Sequence, residues 1–294
     1  HPQHPNTTMK PHPARFAVIG HPISHSRSPA IHEAFAAQFG ISLSYERIDA
    51  PPDEFESIVS GFFESGGCGL NVTVPFKERA WTLSERHLSE RARLAGAVNT
   101  LWQTDGDLHG CNTDGVGLVR DLKRLQLLGP ADRVLLLGAG GAARGVIGPL
   151  LEAGCARLHI VNRTVDRATD LVSTWHRANP EHRDRLSAGG FDTVAHEPAW
   201  NLIINATATS LQGQALELPD ALFGPQVAVY DMMYAAQPTD FLMGAKKAGA
   251  QRTADGLGML VAQAAESFKI WHGVAPEIEP IVQSIRAQMR ARLR

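Results

Sequence analysis

The chain has 294 residues, 44% of them hydrophobic and 20% charged, with a formal net charge of −2. That length suits two ordinary domains. The near-neutral charge, without a basic run, excludes a nucleic-acid footprint, and glycines and charges interrupt every apolar stretch before membrane-spanning length, so no membrane partner is expected.

Residues 1–13, rich in His and Pro, lack the apolar core of a signal peptide and are expected to be disordered, with Met9 a candidate natural start. A strand over 16–19 leads into a loop, 20–29, and then a helix over 29–39 that opens on proline and closes at Gly40. Ser28 is placed to cap that helix. Ser26 and Ser28 together also suit a carboxylate, because a helix N-terminus favours an anion. His21, His25 and His32 share no fixed face, so no metal site is expected and they read as surface or loop residues.

A strand over 43–48 and a helix over 52–64 precede a third strand, 69–74. On it Asn71 and Thr73 share a face under period-2 alternation and can point at one ligand. Lys77 follows in the loop at the strand's carboxyl end, the side on which α/β sheets hold ligands. A helix over 85–94 comes next, then a strand over 97–102 that turns at Asp105-Gly106 into 108–110. Asn99 inside that strand is either a satisfied sheet residue or an amide that binds a hydroxyl. Asp114 opens a long helix, 115–128, either as its cap or, with Lys77 at a neighbouring strand-end loop, as half of a proton-handling ion pair.

Strands near Val134, Leu158, Leu202 and Val227 follow, then helices over 240–248, 257–271 and 276–292. The alternation predicts an α/β protein of two α/β domains, each a parallel sheet with helices on both faces. The first of these strands ends in Gly138-x-Gly140-x-x-Ala143. Gly138 permits a tight turn, Gly140 lets the backbone approach a pyrophosphate, and Ala143 keeps the helix close to the strand. After the next strand, an NAD-binding chain places an acidic residue for the ribose hydroxyl. Here stand Asn162-Arg163-Thr164, with Arg167 a turn later. A guanidinium there suits a 2′-phosphate, so the two segments together point to NADP(H). In the late helix Met259, Leu260, Ala264, Phe268 and Trp271 read as core, while a half-buried Gln263 needs polar partners that a polyol could supply. Cys68, Cys111 and Cys155 form no Cys-x-x-Cys pair and read as buried thiols of a reducing cytoplasm.

Taken in order, "HSRSP" at 25–29, "NVTVPFK" at 71–77, "AGAVNT" at 95–100, "NTDG" at 112–115, "GAGGAAR" at 138–144, "NRT" at 162–164, "NAT" at 205–207 and "GMLVAQAA" at 258–265 resemble the shikimate dehydrogenases from residue 16 to the C-terminal helices. The resemblance implies a substrate domain over 1–113, a Rossmann NADP-binding domain over 114–255, and C-terminal helices, 256–294, returning to the substrate domain. It implies reversible, NADPH-dependent reduction of 3-dehydroshikimate to shikimate, a step of aromatic amino acid biosynthesis. Lys77 and Asp114 would be the catalytic pair. Ser26 and Ser28 would hold the substrate carboxylate, with Tyr234 near it, and Asn71, Thr73, Asn99 and Gln263 would hold the hydroxyls. Gly138, Ala139, Gly140, Gly141, Ala142 and Ala143, then Asn162, Arg163, Thr164 and Arg167, would hold NADP, with Thr207, Met232 and Gly256 completing the cofactor set.

Two loops depart from the family pattern. Tyr234 is followed by Ala235-Ala236, where the family often has a proline two residues after the tyrosine. Residues 208–213 also differ from the family's usual Ser and nearby Gly. Two other readings are a quinate/shikimate dehydrogenase of broader specificity, often NAD-linked, and a non-catalytic ligand sensor. Arg163 argues against the first, and the intact Lys77 and Asp114 against the second. A homodimer is compatible with the sequence but not specified by it.

Overall fold

The computed structural model describes residues 12–195, 199–208 and 218–294. The expected disorder of 1–11, the reading of Met9 and the departure at 209–213 fall outside the described residues. Strands β1 (Ala14–Gly20), β2 (Leu43–Asp49), β3 (Gly69–Val72), β4 (Thr100–Thr104) and β5 (Asp107–Cys111) form one sheet in the order β2-β1-β3-β4-β5. It is parallel across β2, β1 and β3, and antiparallel where β4 and β5 join. The antiparallel part follows from the hairpin at Asp105-Gly106, whose φ angles of 53° and 83° suit a two-residue primed turn.

The second sheet contains β6 (Arg133–Leu137), β7 (Arg157–Val161), β8 (Leu186–Gly189), β9 (Leu202–Asn205), β10 (Ala228–Asp231) and β11 (Arg252–Asp255). Its order is β11-β10-β9-β6-β7-β8, with every pairing parallel. The chain runs outward from β6 to β7 and β8, then returns to β9 on the other side. Such a reversal leaves a crevice at the strands' carboxyl ends. Val134, Leu135, Leu136 and Leu137 are all fully buried, as expected where helices cover both faces of a sheet.

Helices α1 (Ser28–Phe39), α2 (Phe55–Glu64), α3 (Lys77–Leu83) and α4 (Glu90–Ala95) accompany the first sheet. Helix α5 (Asp114–Arg124) leads to the second, where α6 (Gly141–Arg144), α7 (Ile147–Glu152), α8 (Val165–Ala178) and α9 (Asp240–Lys247) lie between strands. Helices α10 (Leu257–His272) and α11 (Glu279–Ala291) close the chain. Ile31 and Phe35 of α1 pack with Val261, Ala265 and Phe268 of α10 and with Ile281 and Ile285 of α11. The last two helices therefore sit against the first sheet's α1.

Several expectations are corrected. The predicted helix over 85–94 is a 3-10 turn, Glu85–His87, followed by α4, because Ser89 caps α4 by accepting from the Ala92 N–H at 3.1 Å. Helix α3 was missed: Lys77 is its first residue rather than part of a loop. The strand expected over 97–102 begins at Thr100, although the Asn99 backbone still bonds to Val72 and Cys111. The short edge strands β8 and β11 were also missed, being four-residue segments of mostly small or polar residues.

Cys68 is exposed, unlike Cys111 and Cys155, because it lies in the turn before β3. His32 is neither a surface nor a loop residue. It is fully buried on α1, stacked on Tyr45 at 4.6 Å, and burial pushes its pKa down to about 3.

Candidate active site

A cleft of about 440 Å³ opens where the two sheets' carboxyl ends face each other. Ser26 comes from the β1–α1 turn and Ser28 opens α1, Asn71 comes from β3, and Thr73 from just past its end. Lys77 opens α3, Asn99 precedes β4, and Asp114 opens α5. Met232 and Tyr234 follow β10, Gly256 precedes α10, and Gln263 sits one face along it. All eleven of these sequence-predicted residues line the one cleft.

The centre of the cleft is an ion pair. Lys77 Nζ lies 2.8 Å from Asp114 Oδ2, with side chains 35% and 20% exposed. Both side chains thus reach solvent through the cleft while their backbones are fixed. The Asp114 N–H donates to Asn112 Oδ1 at 3.0 Å, and the Lys77 carbonyl accepts from the Val98 N–H at 2.9 Å. Asp114 makes no cap of its own helix, whose N-cap position is Thr113, so its carboxylate is free for the pair.

Asn99 ties the centre together. Its Nδ2 lies 2.8 Å from Thr113 Oγ1, 3.0 Å from Asp114 Oδ1 and 3.2 Å from Gln263 Oε1. Two N–H groups thus face three acceptors, which leaves one contact to exchange with a ligand hydroxyl. Asn71 is more committed. Its Oδ1 accepts from the Tyr45 hydroxyl at 2.6 Å, and its Nδ2 donates to the Asn99 carbonyl and to Ser267 Oγ, both at 3.2 Å. At the other end, Ser26 Oγ accepts from the Ser28 N–H at 3.2 Å. Ser28 supplies no side-chain cap to α1, contrary to the capping reading.

Close backbone approaches hold the cleft's walls in register. A Cβ on Gly256 would fall 1.9 Å from the Met232 carbonyl oxygen, so only glycine brings the α10 start against the loop after β10. Arg286 of α11 pairs with both Asp255 oxygens at 2.8 and 2.6 Å and donates to the Ala235 carbonyl at 3.2 Å. That contact pins the Ala235-Ala236 loop beside Tyr234.

The nucleotide end lies at the β6, β7 and β9 carboxyl ends. Gly138 has φ of +114°, a left-handed value that favours glycine. A Cβ on Gly140 or Gly141 would meet nothing within 4 Å, so the turn presents bare backbone to an incoming group. Ala143 is fully buried against the sheet and Ala139 is buried, while Ala142 faces out. Thr207 reaches the same turn from β9: its N–H and Oγ1 both bond Asn205 Oδ1, at 3.0 and 2.7 Å. Asn162 donates to the Thr164 carbonyl at 2.9 Å, shaping the bend after β7, and Arg163, Thr164 and Arg167 are exposed around it. A phosphate-bearing dinucleotide fits this donor set.

Sequence reasoning missed eight lining residues: Val18, Pro22, Ile23, His25, Arg27, Val72, Met259 and Leu260. Met259 and Leu260 were read as core, but both are only partly buried and face the cleft. Spacing alone could not separate a cleft-facing stripe from a packed one. Arg144 was also missed; it pairs with Glu78 of α3 at 3.2 Å and links the glycine turn to the helix that starts at Lys77.

Three family models match the chain: a shikimate dehydrogenase substrate binding domain over residues 18–101, a shikimate/quinate 5-dehydrogenase over 124–209, and a shikimate 5′-dehydrogenase C-terminal domain over 256–286. A shikimate dehydrogenase (NADP(+)) of Bordetella petrii is 59% identical over 95% of this chain and 97% of its own length. Among solved structures, an Ael1 enzyme from Pseudomonas putida is 40% identical with a TM-score of 0.85, covering 92% of this chain and 97% of that one. The Thermus thermophilus shikimate 5-dehydrogenase in complex with NADP(H) and shikimate is 33% identical with a TM-score of 0.80, over 93% and 99%.

Proposed function

The chain belongs to the shikimate dehydrogenase family, and we propose that the cleft described above is where its residues carry out that family's chemistry. The enzyme is an NADP-dependent oxidoreductase that reversibly reduces 3-dehydroshikimate to shikimate. NADPH, when bound, supplies a hydride to the substrate's C3 carbonyl carbon. As the carbonyl oxygen gains charge, protonated Lys77 stabilises it and donates the proton that completes the alcohol. The lysine is left as a neutral amine and recovers its proton from water, which its 35% exposure allows. In the reverse direction it accepts the alcohol proton. Asp114 holds the Lys77 ammonium and a substrate hydroxyl in place. Asn99, Gln263 and Thr73 bind the remaining hydroxyls, with Asn71 braced behind them, while Ser26, Ser28 and Tyr234 take the carboxylate.

The observation that carries this reading is the 2.8 Å Lys77–Asp114 pair inside a cleft that also holds every predicted substrate residue. Initial rates with shikimate and with quinate, each with NADP and NAD, test it. Shikimate with NADP is expected to be the preferred pair by a wide margin. Comparable rates with quinate and NAD would replace the reading by the broader-specificity one.

The cofactor's 2′-phosphate is read by Arg163, with Arg167 behind it. Arg163→Ala is expected to raise KM for NADP by about tenfold to a hundredfold and to leave activity with NAD nearly unchanged, the scale of one lost charge-assisted contact. Equal losses with both nucleotides would remove Arg163 from phosphate recognition.

The substrate carboxylate is remote from the reacting carbon. Ser26→Ala is therefore expected to raise KM for shikimate more than it lowers kcat, and a substrate analogue without the carboxylate should not respond. A variant that only loses thermal stability would reduce Ser26 to its turn contact with the Ser28 N–H. The domain boundaries at 113/114 and 255/256, a cytoplasmic location and a homodimer belong to the same proposal. No helix among the described residues is long and apolar enough to cross a membrane, and sedimentation velocity tests the dimer.

A further inference from the structure

We propose that the groove between α1, β2 and α11 is a second small-molecule site, one that takes an organic polyanion with an apolar body and weakens shikimate binding when filled. The groove encloses about 670 Å³, more than the 440 Å³ of the substrate cleft, and lies within the usual size range of small-molecule pockets. Its floor is apolar, from Ala30, Ile31 and Ala34 on α1 to Ile281 and Ile285 on α11. Its rim carries Arg27, Arg47 and Arg292, and no Asp or Glu lines it.

The three guanidiniums converge without neutralisation. Neither the Arg27 nor the Arg292 side chain bonds or pairs with any described residue, and Arg47 donates only to a neutral acceptor, the Ser26 carbonyl, at 3.0 and 2.6 Å. Three like charges around one concavity repel each other until an anion enters, and the guanidinium fork matches carboxylate and phosphate oxygens two at a time. A concave site with an apolar floor suits a compact organic acid better than a flat macromolecular surface. That is why a small molecule, rather than a peptide or a second chain, is the occupant assigned.

The groove and the substrate cleft share a wall, His25, Ser26 and Arg27. Arg47 donates to the backbone carbonyl of Ser26, a residue that lines both the groove and the substrate cleft. An anion that engages the Arg47 fork competes with the Ser26 carbonyl for it and loosens the turn that presents Ser26 and Ser28. Filling the groove thus acts on substrate affinity, not on the hydride step. This link rests on the carboxylate role proposed for Ser26; the existence of the site does not.

Benzene-1,3,5-tricarboxylate is a suitable probe, with benzene-1,3,5-trimethanol as its neutral counterpart. Calorimetry at constant ionic strength, with saturating shikimate and NADPH (a pair that cannot turn over), is expected to show one tricarboxylate per chain and no binding of the triol. Linkage requires shikimate to weaken the tricarboxylate only by the factor the tricarboxylate imposes on shikimate. Arg292→Glu, at a residue that lines the groove but not the substrate cleft, should weaken the tricarboxylate at least tenfold at unchanged basal kcat and KM. In initial rates the tricarboxylate should raise KM for shikimate about threefold or more at constant kcat, and should do nothing to Arg292→Glu.

The site is overturned if saturating shikimate abolishes binding, if the triol binds equally, or if Arg292→Glu binds as the parent does. Half an equivalent with a protein-concentration dependence also overturns it, by placing the groove between two copies. Binding without a change in KM overturns the link to the substrate. The calorimetric arm needs no turnover, so its failure is distinguishable from failure of the proposed activity.

Discussion

Lys77→Ala is expected to lower kcat by about 10²-fold or more, the scale of a positioned acid–base group, while KM for shikimate changes much less. In the proposed mechanism the lysine meets the substrate at the oxygen where charge develops, so its contribution is realised mainly in the transition state. The fold should survive, because the side chain is one-third exposed and its one polar partner among the described residues is Asp114. Asp114→Asn should also lower kcat, and with a loss of substrate affinity, since the carboxylate pairs with Lys77 and is proposed to hold a substrate hydroxyl. The two groups act as a unit, so the double variant should be no worse than the poorer single one. Steady-state rates in both directions, with circular dichroism to confirm folding, read all three proteins. Near-normal kcat in folded Lys77→Ala would send the search for the proton donor elsewhere, and additive losses in the double variant would break the pair into independent contributors.

Much of the candidate site was legible in the sequence because its residues lie near strand ends, and strand ends are marked by motifs. The apolar run before Gly138 announces a buried parallel strand, and the glycine turn after it can be placed to the residue. Ser26, Lys77 and Asp114 could be located the same way, in the segments that follow strands, and Asn71 by its alternation along β3. What spacing could not show is how neighbouring elements share one polar group. Asn99 was legible as a polar residue in apolar surroundings, but not as the amide that touches Thr113, Asp114 and Gln263 at once. Those three come from elements up to 164 residues away in sequence. His32 misled for the same reason: its neighbours Tyr45 and Trp271 lie on β2 and α10, and only the tertiary packing buries it. Edge strands β8 and β11 were illegible because they lack the long apolar runs that mark the central strands.

The α5–α10 crossing that places Asp114 and Gln263 together was equally invisible, since its key residues are helical glycines. A Cβ on Gly117 would fall 2.7 Å from the Gln263 backbone nitrogen, and one on Gly258 would fall 2.0 Å from Asp121 Oδ1. Asp121 is fully buried on α5. Burial pushes its carboxyl pKa up, opposed by the Tyr230 hydroxyl at 2.8 Å and by Arg124 at 2.8 and 3.0 Å. Gly258→Ala is therefore expected to cost about 3–5 kcal/mol of stability, the range for breaking a buried ion pair. The methyl group must displace the carboxylate, which leaves the buried Tyr230 hydroxyl without its acceptor and Arg124 with Glu279 alone among the described carboxylates. Asp121→Ala removes the same contacts directly and should cost a similar amount. In the double variant the clash is gone, because alanine at 121 clears the space the new methyl needs. Its loss should match that of Asp121→Ala alone rather than the sum, a coupling measurable by urea denaturation of all four proteins. Additive losses would show that Gly258 is required for some reason other than the approach of α10 to the Asp121 carboxylate.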